Sequence, residues 1–221
     1  RTPLSKRILP NYTRAEDIAN MVTHIVGGGI GIVALVFSVL IAAFHRNVWG
    51  IVGGSIYGFS MVALYTVSSV YHGLRPGMGK KVMQVIDHCT IYFLIAGTYT
   101  PILLSSIRPQ FPALAWTIFG IEWGIVAFAV VFTAIDHNKY KKLSMTCYIG
   151  LGWCIVLVLK ATVQSMGLSG FLWLIGGGVS YTIGAVLYGI GGKKPIYHTI
   201  FHVFVDIGSI LQAICILFYV L

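Results

Sequence analysis

Seven apolar runs, bounded by charge or proline, divide the chain at about 19–44, 48–71, 82–104, 112–134, 143–159, 170–190 and 196–220. Most approach the twenty or so residues that a helix needs to cross a hydrocarbon layer of about 30 Å. None alternates in polarity as the roughly ten-residue strands of a membrane barrel do. The pattern predicts an all-α integral membrane protein, a bundle of seven transmembrane helices. Residues 1–18 read as a short basic N-terminal segment and 19–221 as a single transmembrane domain. A signal peptide would have a shorter apolar core and a small-residue cleavage site, and none is read here. Pro112 and Pro195 stand where helices start, the position that tolerates a missing N–H. Pro101 falls inside the third run and predicts a kink near its outer end. The glycines at 27–29 and 176–178, with Gly53–Gly54 and Gly191–Gly192, suit close helix contact or flexible ends. No strand precedes them, as a phosphate-cradling loop would require.

Composition strengthens the membrane reading. Of 221 residues 57% are hydrophobic and only 10% charged, and the mean hydropathy is +0.86. One soluble core of this size could not hide so much apolar surface. The net charge of +9 could suggest nucleic acid, but the basic residues sit in short loops without aromatic interleaving, so no nucleic-acid partner is expected. They are also unevenly placed. Twelve of the fifteen Lys and Arg lie in the N-terminal segment and the second-to-third, fourth-to-fifth and sixth-to-seventh loops, and only Arg46, Arg108 and Lys160 lie on the other side. The positive-inside rule then sets the N-terminus in the cytoplasm and the C-terminus outside, with the plasma membrane as the expected location. Cys89, Cys147, Cys154 and Cys215 all fall inside apolar runs without a C-x-x-C pair, so they read as packing residues.

Ionisable side chains within such runs are costly and need a reason. His198 and His202 are four apart, which on a helix places both imidazoles on one face within reach of one ion. His72 ends the second run. At 1.5 Å per residue, Asp87 enters about 9 Å past Lys81, and His198 and His202 about 6 Å and 12 Å past Lys194. The orientation just derived therefore brings His72, Asp87, His198 and His202 to similar depth in the cytoplasmic leaflet. Three neutral imidazoles with an open position suit Zn²⁺ in a catalytic type of site, with Asp87 beside the metal. Ser68, one turn before His72, could donate a hydrogen bond into the site or simply pack between helices. Asp206 extends the face of His202 deeper, as a group supporting the site or as a carboxylate bridging helices. His24 is expected to be a hydrogen-bonded structural histidine. Glu122, mid-run in a helix that supplies nothing else, is expected to be protonated or paired. His88 lies about 100° round the helix from Asp87, so the two should not meet one metal.

The segments S-S-V-Y-H (68–72), D-H-C-T-I-Y-F-L-I-A-G-T-Y-T-P (87–101) and H-T-I-F-H-V-F-V-D-I-G-S (198–209), with N-M-V-T-H-I-V-G-G (20–28), resemble the bacterial hemolysin III-like proteins. These belong with the progestin and adipoQ receptors, which include the adiponectin receptors. The resemblance implies zinc carried by His72, His198 and His202, with Asp87 close to the metal's water and Ser68 nearby. It also implies a cytoplasmic N-terminus. The sequence departs from the family pattern at Gln212, where a further histidine is expected, and at Asp206, usually an apolar position.

Two functions follow as expectations. One is a zinc-dependent hydrolase of a lipid amide or ester, favoured by the similarity of the Ser, His and Asp arrangement to alkaline ceramidases. The other is a receptor-like sensor or regulator of membrane state, with zinc tying the second and seventh helices together. Both fit the family's roles in membrane-lipid homeostasis, with membrane lipids, such as a lipid amide or a fatty acid in the bundle, as partners. A pore-forming hemolysin ranks last, because transport needs a polar path from face to face and the outer leaflet offers few ionisable residues beyond Glu122.

Overall fold

A computed structural model of the chain describes residues 2–190, 194 and 196–221. The helix start at Pro195 and the glycines 191–192 lie outside the described residues. The architecture is all-α: α1 (Arg14–Phe44), α2 (Val48–Gly73), α3 (Met78–Pro101), α4 (Pro112–Asp136), α5 (Lys141–Trp153), α6 (Leu159–Ile190) and α7 (Ile196–Cys215). Among the described residues six helical segments are long and apolar enough to cross a membrane. The runs expected at 143–159 and 170–190 share one of them, the 50-residue stretch Lys141–Ile190. That stretch includes a 3₁₀ turn at Cys154–Val158, and at Gly167 the backbone leaves helical geometry (φ 75°, ψ 166°). Glycine is suited to this positive φ because it has no Cβ to clash.

Local chemistry sets the helix ends. α1 begins at Arg14, five residues before the first apolar run, because Thr13 and Glu16 form a reciprocal capping box. The Thr13 hydroxyl accepts from Glu16 N–H at 3.2 Å, and the Glu16 carboxylate accepts from Thr13 N–H at 2.8 Å. Asn47 caps α2 by accepting from Gly50 N–H at 2.8 Å. Pro112 occupies the first turn of α4, as expected. Pro101 closes α3, and the chain continues as a π-helical turn through Ile102–Ile107.

Small residues let the first two helices touch closely. A Cβ on Gly58 would collide with the backbone of Leu35 in α1, and one on Gly53 would lie 2.6 Å from Pro101 Cα in α3. The other faces of the helices remain apolar and outward: Val26, Phe37, Phe59, Phe128, Leu172 and Phe218 are each more than half exposed. Such a surface needs lipid around it, and the chain is a multi-pass membrane protein. The four cysteines are all free.

Candidate metal centre

α2 and α7 bring His72, His198 and His202 together, with all three candidate ligand atoms within 4.8 Å of one another. His198 Nε2 lies 3.3 Å from His72 Nε2 and 3.1 Å from His202 Nε2. Nitrogens about 2.0–2.1 Å from a tetrahedral ion would be separated by roughly 3.3 Å, so the observed spacing fits a metal.

The opposite edges of two rings fix their tautomers. The Asn20 carbonyl can only accept, so His202 carries its proton on Nδ1, 3.2 Å away. His72 Nδ1 likewise donates to Asp17 Oδ1 at 3.0 Å. In both rings the Nε2 lone pair is left for a metal. Asp17 is held in turn by Lys80, whose Nζ donates to Oδ2 at 2.6 Å. His198 Nδ1 has no hydrogen-bond partner among the described residues; its ring stacks on Tyr12 at 5.2 Å between centroids. Burial holds the Tyr12 phenol above its usual pKa, so it remains a neutral cover on this end of the bundle.

His198 and His202, with His24 of α1, open onto a cavity among α1, α2, α3, α5, α6 and α7. Asp87 and Ser68 line it at the same end, with the Ser68 hydroxyl near enough to interact with the Asp87 carboxyl. Its walls are largely apolar, with Leu64, Ile91, Leu94, Phe201 and Val205 prominent.

His88 lines the same cavity as Asp87 but is not one of the three convergent ligands; its Nδ1 donates to Gln84 O at 2.7 Å. One expectation is corrected. His24 is not a hydrogen-bonded histidine. Both its ring nitrogens are buried without partners among the described residues, and its ring stacks on His202 at 3.6 Å between centroids, 8° from parallel. From the segment 1–18, Tyr12 stacks on His198 and Asp17 accepts from His72. Asp206 lies against α1, its Oδ1 2.6 Å from where a Cβ on Gly27 would stand, and does not line the cavity. Glu122 is paired, as expected: it accepts from the Cys154 thiol.

Asp17 and Lys80 are the site residues that the apolar-run reading missed. A signal was present in the sequence. The T-x-x-E motif at 13–16 starts the helix early and puts Asp17, Asn20 and His24 on one stripe at i, i+3 and i+7.

Known relatives are similar in sequence along most of the chain. The chain matches the family described as haemolysin-III related over residues 12–213. It is 36% identical over 206 residues to Hemolysin-3 of Bacillus cereus, covering 93% of this chain and 92% of that protein. To the Hemolysin-3 homolog of Bacillus subtilis (strain 168) it is 37% identical over 208 residues, 94% of this chain and 96% of the relative. The human monocyte to macrophage differentiation factor is 30% identical over 213 residues, 93% of this chain and 84% of its own length. The resemblance read from the sequence holds, and the chain belongs to the haemolysin-III related family.

Proposed function

We propose that this protein is a zinc-dependent hydrolase of a lipid amide or ester, embedded in the plasma membrane by seven helices and serving membrane-lipid homeostasis. The observation that carries the reading is the convergence of three imidazole nitrogens, with His198 and His202 lining one end of an apolar cavity that also holds Asp87 and Ser68.

The seven-span count is supported by length. Fifty residues of helix would extend about 75 Å at 1.5 Å per residue, far beyond the roughly 30 Å of hydrocarbon. The break at Gly167 lets the stretch Lys141–Ile190 cross twice. An odd number of crossings then puts the termini on opposite sides, and the basic loops keep the N-terminus and the metal centre on the cytoplasmic side.

His72, His198 and His202 would hold the zinc. Zinc bound there supplies Lewis acidity, which makes water a better nucleophile near neutral pH and polarises a carbonyl. The rest falls to the chain. Leu64, Ile91, Phe201 and Val205 hold the hydrocarbon of the substrate and keep bulk water away. The Asp87 carboxylate, with Ser68 beside it and His88 Nδ1 no closer than 3.9 Å to Oδ2, is the group that would accept the proton from the attacking water. It can then return that proton to the departing amine or alkoxide. Ser68 beside it steadies the carboxyl. A cluster of only three protein ligands among the described residues leaves room for substrate, which favours catalysis over a purely structural ion.

The test is elemental analysis of detergent-purified protein beside the His198→Ala/His202→Ala double variant, followed by assays on ceramide and phospholipid in mixed micelles. About one zinc per chain, absent from the variant, and release of fatty acid that depends on it are the expected results. Protein purified without chelator that contains no zinc would sink the hydrolase reading.

A further inference from the structure

The cavity continues beyond the histidines along α7, and a second polar group stands at its far end. Gln212 lies ten residues past His202, about 15 Å along the helix axis at 1.5 Å per residue. It lines the cavity and is only 6% exposed. Between the two ends the lining side chains, Ile91, Leu94, Ile95 and Val205 among them, are hydrocarbon.

The neighbouring polar groups at the far end are already engaged within the protein. Thr98 Oγ1 donates to Leu94 O at 2.8 Å, and Tyr99 OH donates to Gly152 O. Thr182 Oγ1 donates to Gly178 O at 2.7 Å and accepts from Trp153 Nε1 at 3.0 Å. Tyr181 OH shares a hydrogen bond with Ser209 Oγ at 2.8 Å. Gln212 differs from all of them. Its amide makes no hydrogen bond with any described residue, and it is not sealed among packed atoms, so the cavity is what it faces.

Its stem is also held in place. A Cβ on Gly177 of α6 would collide with Gln212 Cγ and lie 2.9 Å from Gly208 O. Glycine at 177 thus lets the side chain lie against α6 and present its amide to the cavity. A primary amide offers both donors and an acceptor, the complement of a hydroxyl group, which is donor and acceptor at once. A plain hydrocarbon tail reaching this point would leave the amide facing hydrocarbon.

We propose that Gln212 forms a second subsite, which binds a hydroxyl carried on the distant part of a long acyl chain whose carbonyl end lies at the histidines. The substrate class is then a lipid with a hydroxylated acyl chain, an assignment that deepens the hydrolase reading and rests on it. The subsite can be tested without turnover. Hexadecanoic acid and its terminally hydroxylated counterpart are titrated against the purified full-length protein in lipid nanodiscs, with binding read by displacement of a radiolabelled fatty acid.

The hydroxylated probe should bind the unaltered protein about tenfold more tightly, the worth of one well-made hydrogen bond in a dry site. Gln212→Met, close in volume, should remove that preference while still binding hexadecanoic acid. Gly177→Ala should weaken the preference by displacing the amide. Equal affinity for the two probes, no binding of either, or a preference that survives in Gln212→Met would overturn the subsite. The two readings fail separately. A binding preference without hydrolysis of any amide or ester removes the enzyme and leaves the subsite, whereas zinc-dependent hydrolysis with equal binding of both probes removes the subsite and leaves the enzyme.

Discussion

Two buried polar clusters in this molecule cost the fold something similar and have different uses. In the first, His72, His198 and His202 converge on one another beside a cavity, and outward-facing donors on two of the rings meet acceptors, Asp17 and the Asn20 carbonyl. The charge of Asp17 is answered by Lys80. In the second, Glu122 of α4 accepts from the Cys154 thiol with one oxygen, and the other, Oε2, is buried without a partner. No residue of α4 lines the cavity. Both clusters put ionisable groups among apolar helices, where each is expensive. Burial therefore marks what a polar group costs. Convergence of lone pairs, with partners that fix the far edge of each ring, marks what it does.

The comparison predicts its largest contrast at Asp87. Asp87→Asn keeps the shape and removes the proton acceptor, so lipid hydrolysis should fall by about a hundredfold to ten-thousandfold while zinc content stays near that of the unaltered protein. Parallel measurement of metal and fatty-acid release decides the matter, and loss of zinc together with activity would make Asp87 a structural support of the centre instead. A smaller effect is expected from Asp17→Asn, which weakens the acceptor behind His72. Zinc affinity, measured by competition with a chromogenic chelator, should drop about tenfold to a hundredfold. That substitution also leaves the Lys80 charge buried without its partner, and breaking a buried pair from one side can cost about 3–5 kcal/mol. Adding Lys80→Met should recover thermal stability and leave zinc affinity low. If the double variant regained affinity as well, Asp17 would matter for folding and not for the metal.

Much of this was legible because membrane helices announce themselves. Runs of apolar residues located the membrane-spanning stretches, although those at 143–159 and 170–190 share one of them, and charge at their edges pointed to one depth for His72, His198 and His202. Asp17 was not legible by the same route. It sits in a polar, basic leader where an acidic side chain looks solvated, and only the Thr13–Glu16 capping box reveals that the residue is already helical. His24 was misread because sequence does not show whether a partner exists; its ring is packed face to face on His202 instead. Within the stretch Lys141–Ile190 the backbone leaves helical geometry at Gly167, a positive φ that residue spacing does not encode.

The smallest effects should come from the second cluster, and their order is informative. Cys154→Ala alone removes the donor to Glu122 and leaves both carboxyl oxygens unpartnered, a loss of about 1–3 kcal/mol. Combining it with Glu122→Met replaces both partners by apolar groups, and a buried polar pair exchanged for hydrocarbon of similar volume is often neutral or stabilising. The double variant should therefore melt at or above the temperature of the single one in the same detergent. Zinc content and hydrolysis should not change in either, because neither residue lines the cavity. Loss of zinc or of activity in the double variant would mean that the two clusters communicate, and that burial without convergence can serve the site after all. Equal zinc and activity with restored stability would leave Glu122 and Cys154 as a pair whose only task is to satisfy each other.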